Sequence, residues 1–148
     1  MEKRDSVERG MHLAKKGRFK EALAAFSADN AYKKSPTAIS YYALCVAVVK
    51  KDYEEAVSLC RSAAKKEFYN PDIYLNIGKV CILAERRDLA FMAFKKGLKM
   101  DNEHPGLLKQ MKQLGIRRRP SLPFLPRGNP FNKLIGALGA RIQRPKKA

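Results

Sequence analysis

The sequence repeats itself every 34 residues, and a fixed period of that length signals stacked supersecondary units rather than one closed core. Segments 17–26, 51–60 and 85–94 align without gaps. Ala22, Ala56 and Ala90 fall in one column, and Phe26, Cys60 and Phe94 in another. Upstream of each segment lies a second helical stretch, with Gly10 and Leu13 in the first copy and Tyr74, Ile77, Gly78 and Cys81 in the third. Gly10 and Gly78 stand two periods apart. Each unit is therefore predicted to be two helices joined by a short turn.

Small residues at fixed columns let paired helices approach closely. Gly10, Ala43 and Gly78 admit the second helix of each pair, where Ala22, Ala56 and Ala90 sit at the crossing. Large residues such as Tyr42, Ile77 and Phe94 fill the remaining space, and each pair buries its second face only against the next. Pro36, Pro71 and Pro105 mark the starts of successive pairs, at spacings of 35 and 34. Proline suits a first helical turn, whose N–H groups have no partner to lose. Beyond the third pair, Leu107, Leu108, Met111 and Leu114 recur at helical spacing before Gly115, which predicts a closing helix over about 105–115.

These residues resemble the tetratricopeptide repeat (TPR) family, whose motif has large residues at positions 4, 7, 11 and 24 and small ones at 8, 20 and 27. The resemblance covers about residues 3–104 as repeats 3–36, 37–70 and 71–104. In the third repeat Tyr74, Ile77, Gly78, Cys81, Ala90, Phe94 and Gly97 match every column. In the first, Gly10, Leu13, Ala22 and Phe26 fit, while Ser6, Arg9 and Asp29 depart, as suits a terminal cap. The second repeat needs a shift, because a strict period puts Leu44 in a small column and Ala43 in a large one. Moving its first helix by one residue places Ile39, Tyr42, Ala43 and Val46 correctly, and leaves one extra residue in the turn around Lys50-Lys51-Asp52. The implied fold class is all-α, a right-handed solenoid of antiparallel helix pairs.

Such a resemblance implies a concave groove lined by the first helix of each pair, which holds a peptide or helix of a partner protein. By motif position the candidates are Arg4, Val7, Met11 and Lys15, then Ser40, Leu44, Ala47 and Val48, then Asp72, Leu75, Lys79 and Ile82. Leu44, Leu75, Lys79 and Ile82 are the preferred contacts. One TPR subclass grips the acidic carboxyl tails of heat-shock chaperones with Lys, Asn and Arg at defined positions. In this sequence those positions hold Val7, Met11, Tyr41, Asp72 and Asn76, none of them a cation, and Asp72 repels a carboxylate. An apolar or amphipathic segment is the expected ligand.

Charge divides unevenly along the chain. The whole 148 residues carry a formal +17 from 31 basic and 14 acidic side chains, but residues 1–102 contribute only 20 basic against 13 acidic. Residues 103–148 contribute 11 basic and one acidic, and five of the chain's eight prolines lie beyond Gly115. Residues 116–148 therefore read as a basic, proline-rich extension. Prolines every third residue from Pro120 to Pro126 favour an extended path. Asn129 and Pro130 then open an expected amphipathic helix over about 130–143, with Phe131, Leu134, Ile135, Leu138 and Ile142 on one stripe. Its dockings are open: the chain's own solenoid, a partner protein, or an anionic membrane reached through its basic flanks. Arg117, Arg118 and Arg119 could contact the phosphates of nucleic acid such as RNA.

Other classes of function find no support. The longest uncharged run, Ser35–Val49, is 15 residues and includes Ser, Tyr and Pro, short of the roughly 20 apolar residues of a spanning helix. The charged start lacks the apolar core of a secretory signal. Cys45, Cys60 and Cys81 lie singly in apolar helical runs, which predicts buried reduced thiols and neither disulfides nor a zinc site. His12 and His104 have no nucleophile or metal spacing around them, and no phosphate-binding glycine loop occurs. The expectation is a non-enzymatic scaffold or adaptor in the cytoplasm, with a peripheral membrane association left open. It has no cofactor, metal or small-molecule substrate, and its partner is a protein or peptide.

Overall fold

The structure, a computed structural model, describes residues 2–28 and 30–115, which form seven α-helices and no strand. The chain divides into two units, Met1–Leu114 and Gly115–Ala148, and all seven helices belong to the first. The expected helix at 130–143 and the tail residues Arg117, Arg118, Arg119, Phe131, Leu134, Ile135 and Leu138 lie outside the described residues.

Helices α1 (Glu2–Lys15) and α2 (Phe19–Ser27) form the first pair, α3 (Pro36–Val49) and α4 (Tyr53–Lys66) the second, and α5 (Pro71–Leu83) and α6 (Arg87–Met100) the third. Helix α7 (Pro105–Leu114) closes the unit against α6. Helices α1, α3 and α5 pack side by side. Helices α2 and α4 each wedge between their own partner and the first helix of the following pair.

Local chemistry sets the helix starts. Ser35 Oγ accepts from the Ala38 N–H at 3.3 Å and Asp52 Oδ1 from the Glu55 N–H at 3.0 Å, each satisfying a donor that the first turn leaves without a carbonyl. Asn70 Oδ1 accepts from the Asp72 N–H at 3.1 Å, while its Nδ2 donates to Thr37 Oγ1 at 2.9 Å and Glu67 Oε2 at 3.1 Å. One asparagine thereby begins α5 and ties it to the start of α3. His104 does the same for α7, its Nδ1 accepting from the Leu107 N–H at 3.3 Å.

The small columns work by contact. A Cβ on Gly10 would lie 2.6 Å from Phe26 Cε1, and one on Gly97 would lie 2.7 Å from Leu107 Cδ1. Ala22, Ala56 and Ala90 are wholly buried. The core that results is continuous through the first two pairs, and a second cluster joins α5, α6 and α7 through Leu75, Cys81, Ala90, Phe94 and Leu107.

The middle repeat differs from the sequence expectation. Its turn holds no extra residue: Gly17, Lys51 and Glu85, at strict 34-residue spacing, all adopt the left-handed conformation, with φ of 78°, 58° and 60°. The bonds from Lys16 N to His12 O, Lys50 N to Val46 O and Ala84 N to Val80 O repeat at the same interval. Helix α3 has 14 residues and begins 34 positions after α1, which also has 14, whereas α5 has 13 and begins 35 positions after α3, so the odd spacing of Pro36 and Pro71 reflects a later start of α5. Counting back from the turn along a regular helix returns Leu44 to the column of Gly10 and Gly78. Cys60 then replaces phenylalanine in the facing column, so a large and a small residue have changed places. Both are buried, at 2% exposure.

A second difference lies in the first repeat. Helix α2 has only nine residues where α4 and α6 have 14. A 3-10 turn over Ala31–Lys34 follows it. That turn inserts Tyr32, which stacks on Tyr42 with ring centroids 4.1 Å apart and meets Phe26 edge-on at 6.1 Å. The aromatic trio fills the volume that the missing helical turn leaves open.

Candidate functional site

The face presented by α1, α3 and α5 is the candidate site, and its composition follows from which side chains the stacking leaves uncovered. Val7, Met11, Val48, Lys79 and Ile82 are half-buried, and Lys15 is exposed. Arg4 lies in the first turn of α1, where side chains are outside the described residues. The Lys15 ammonium stands 5.5 Å from the centroid of the Tyr41 ring, a cation–π contact that links α1 to α3.

Four of the expected groove residues are not on the surface. Ser40, Leu44, Ala47 and Leu75 are buried. Ser40 Oγ donates to the Thr37 carbonyl at 2.7 Å and accepts from Asn76 Nδ2 at 3.0 Å, so its hydroxyl joins α3 to α5 and is spent there. Leu44 belongs to the shared core, as its column requires. Leu75 is covered by the start of α7, where a Cβ on Gly106 would come within 2.8 Å of Leu75 Cδ2. Motif position assigns a helix face but not what a later helix lays over it.

Polar groups gather where α5 meets α7, and among them is His104, which no sequence motif singles out. His104 Nε2 lies 3.2 Å from Asp72 Oδ1. Because Nδ1 accepts the Leu107 N–H, the proton sits on Nε2 and is donated to the carboxylate. Only the fold brings these residues, 32 positions apart, together. Burial lowers the Lys79 ammonium from its ordinary range, Asp72 opposes the shift and Lys109 adds to it. Burial raises the Tyr41 phenol, with the Asp72 charge adding to the rise. Asn76 is buried, and its Oδ1 has no hydrogen-bond partner.

Paired helices, left-handed turn residues at a 34-residue interval and glycine–aromatic crossings are all on one scaffold. This is a tetratricopeptide-repeat fold. The TPR unit superposes on the first TPR domain of human RPAP3 with a TM-score of 0.60 at 17% identity, covering 74% of this chain and 86% of that one. It matches the first TPR of Spaghetti (RPAP3) bound to the HSP90 peptide SRMEEVD, with a TM-score of 0.58 at 16% identity over 76% of this chain and 90% of that one. The second TPR domain of human RPAP3, in complex with the HSP70 peptide SGPTIEEVD, gives 0.59 at 16% identity over 77% and 95%. At such identities the likeness is one of fold. No protein-family profile matches the sequence, and no curated protein does.

Among the described residues, the TPR unit holds no cluster of three or more His, Cys, Asp or Glu side chains arranged to bind a metal ion. None of the described helices is long and apolar enough to cross a membrane. Burial pushes the Cys45 and Cys60 thiols up to about 12 and raises Cys81 as well. Thiols held protonated this far above neutral pH are poor nucleophiles.

Proposed function

We propose that this protein is a non-enzymatic scaffold whose α1, α3 and α5 face holds a segment of a partner protein in the cytoplasm. The observation that carries the reading is the row of half-buried apolar side chains, Val7, Met11, Val48 and Ile82, on the face where first helices stand side by side. Partly covered apolar groups on a rigid helical surface suit an apolar or amphipathic segment. Lys15 and Lys79 supply charge at the margins and Asp72 opposes it. Leu44 and Ser40 support this face from beneath, Leu75 is covered by α7, and none of the three touches the ligand.

The chaperone-bound neighbours sharpen the choice of ligand. Their peptides end in Glu-Glu-Val-Asp or the same four residues after a different lead, and gripping such an end requires cations. With the second repeat in its strict register, the positions that would grip a terminal carboxylate hold Val7, Met11, Tyr42, Asp72 and Asn76 in this chain, none of them a cation. A ligand without a required free carboxylate fits this face better.

The test is partner capture by full-length protein, compared with Met11→Glu plus Ile82→Glu. The paired charges should abolish binding of the main partners while the helical circular dichroism stays unchanged. An unaltered partner set sinks the reading. The peptide SRMEEVD should not compete with those partners at concentrations that saturate the RPAP3 domain.

A further inference from the structure

The molecule's own repeats supply a control for its outer surface. Leu89 and Met92 on α6 are 49% and 64% exposed. At the same columns the two earlier repeats carry Glu21 with Ala24 and Glu55 with Ser58, polar or small residues suited to water. Phe68 and Tyr69, at the junction of α4 and α5, are 53% and 75% exposed with ring centroids 4.0 Å apart. The other junctions place Lys33-Lys34 and Asn102-Glu103 there. Large apolar groups stand in water at two places where the repeat elsewhere avoids them.

The two places are linked through Tyr74 and Lys96. Tyr74 OH donates to the Phe68 carbonyl at 3.1 Å, and the Lys96 ammonium stands 4.9 Å from the centroid of the Tyr74 ring. From Leu89 to Lys96 the helix advances about 10 Å at 1.5 Å per residue. An open cleft of about 560 Å³ lies beside the aromatic pair, between Lys66 and Pro71. Exposed Lys95, Lys96 and Lys99 edge the stripe, and residues 86–100 hold five basic side chains against the single acid Asp88.

We propose that this outer face is a second docking surface, separate from the first-helix face, for an acidic partner segment with apolar anchors. Anchors would cover Met92 and the Phe68–Tyr69 pair, and carboxylates would meet the lysine edge. Apolar groups buried at a centre and opposite charges at a rim are the arrangement that gives affinity and orientation respectively. A second copy of this chain is a poor occupant because it brings the same lysines to the contact. Nucleic acid is a poor one because phosphates gain nothing from covering Leu89 and Met92.

The test uses full-length protein and a library of 12-residue peptides displayed on phage. Selected peptides should be enriched in Asp and Glu around Leu, Phe or Met. Once synthesised, they should bind Tyr69→Ser plus Met92→Ser at least tenfold more weakly, bind Met11→Glu plus Ile82→Glu within twofold of the parent, and weaken as salt rises. Both substituted residues are exposed, so the double variant should keep its circular dichroism and melting temperature. Four results would each overturn the proposal: no selectable peptide, peptides without acidic enrichment, loss of binding in the first-helix variant instead, or a (dT)15 oligonucleotide whose binding depends on Tyr69 and Met92. A concentration-dependent dimer abolished by the same double variant would overturn the assigned occupant.

Discussion

The ring of Phe94 occupies the space that a side chain at Gly78 would need, because a Cβ there would overlap its Cε1, Cδ1 and Cζ atoms. The glycine and the phenylalanine are two halves of one contact between α5 and α6. Gly78→Ala should destabilise the unit by about 1–3 kcal/mol, the usual cost of forcing volume into a packed core. Adding Phe94→Leu should recover part of the loss, which urea denaturation of the four-member cycle measures. Full additivity of the two substitutions would show that they do not share the contact.

The exchange of Leu44 and Cys60 in the middle repeat has a reciprocal signature. Cys60→Phe alone should cost about 1–3 kcal/mol by overpacking against Leu44. Combined with Leu44→Gly it should cost less than the sum of the two single changes, because the pair then reproduces the Gly–Phe crossing of its neighbours. If Ala43 faces Cys60 instead, Ala43→Gly will provide the rescue and Leu44→Gly will not.

The left-handed turn residues predict a gain in stability. Lys51 and Glu85 adopt φ near 60°, which costs an L-residue roughly 1–2 kcal/mol, while glycine there raises the entropy of the unfolded chain by less. Glu85→Gly should therefore stabilise by about 0.5 kcal/mol, the difference between those two effects, read as a higher urea midpoint at unchanged slope. The first repeat already carries Gly17 at this position, and a lowered midpoint would show that Glu85 makes a compensating contact.

The buried thiols make stability sensitive to alkali. Cys45 and Cys60 ionise near 12 in the folded chain against 9.0 for the free group, so their folded pKa lies above the unfolded value. Their contribution is fully present below about pH 9 and is lost as pH rises toward about 12, because only the unfolded chain then gains by releasing protons. Urea midpoints should hold steady from about pH 7 to 8.5 and fall above about pH 9. At about pH 8 a thiol reagent should modify these cysteines only at the rate of unfolding, and prompt modification of the native protein would contradict their burial.

Much of the architecture was legible because close packing writes itself into residue size. Gly10 with Phe26 and Gly78 with Phe94 declare their crossings in sequence, and Pro36, Pro71 and Pro105 declare the helix starts. Size alone misled at Leu44, where restoring each column by a shift looked simpler than a compensating Cys60 in the partner helix. Tyr32 escaped notice because its 3-10 turn follows neither helical period. The candidate face was legible only by position. Leu75 is hidden by Gly106 of a helix 31 residues further on, and Ser40 is hidden because Asn76 needs a partner.

The central claim, that the α1, α3 and α5 face holds a partner segment, is tested most directly by photocrosslinking from single positions in cells. A photoreactive amino acid placed in turn at Met11, Val48 and Ile82 should crosslink one and the same stretch of one partner, while the same probe at exposed Arg61 on α4 should not. Crosslinks from Arg61 alone, or unrelated products from the three first-helix positions, would contradict the account.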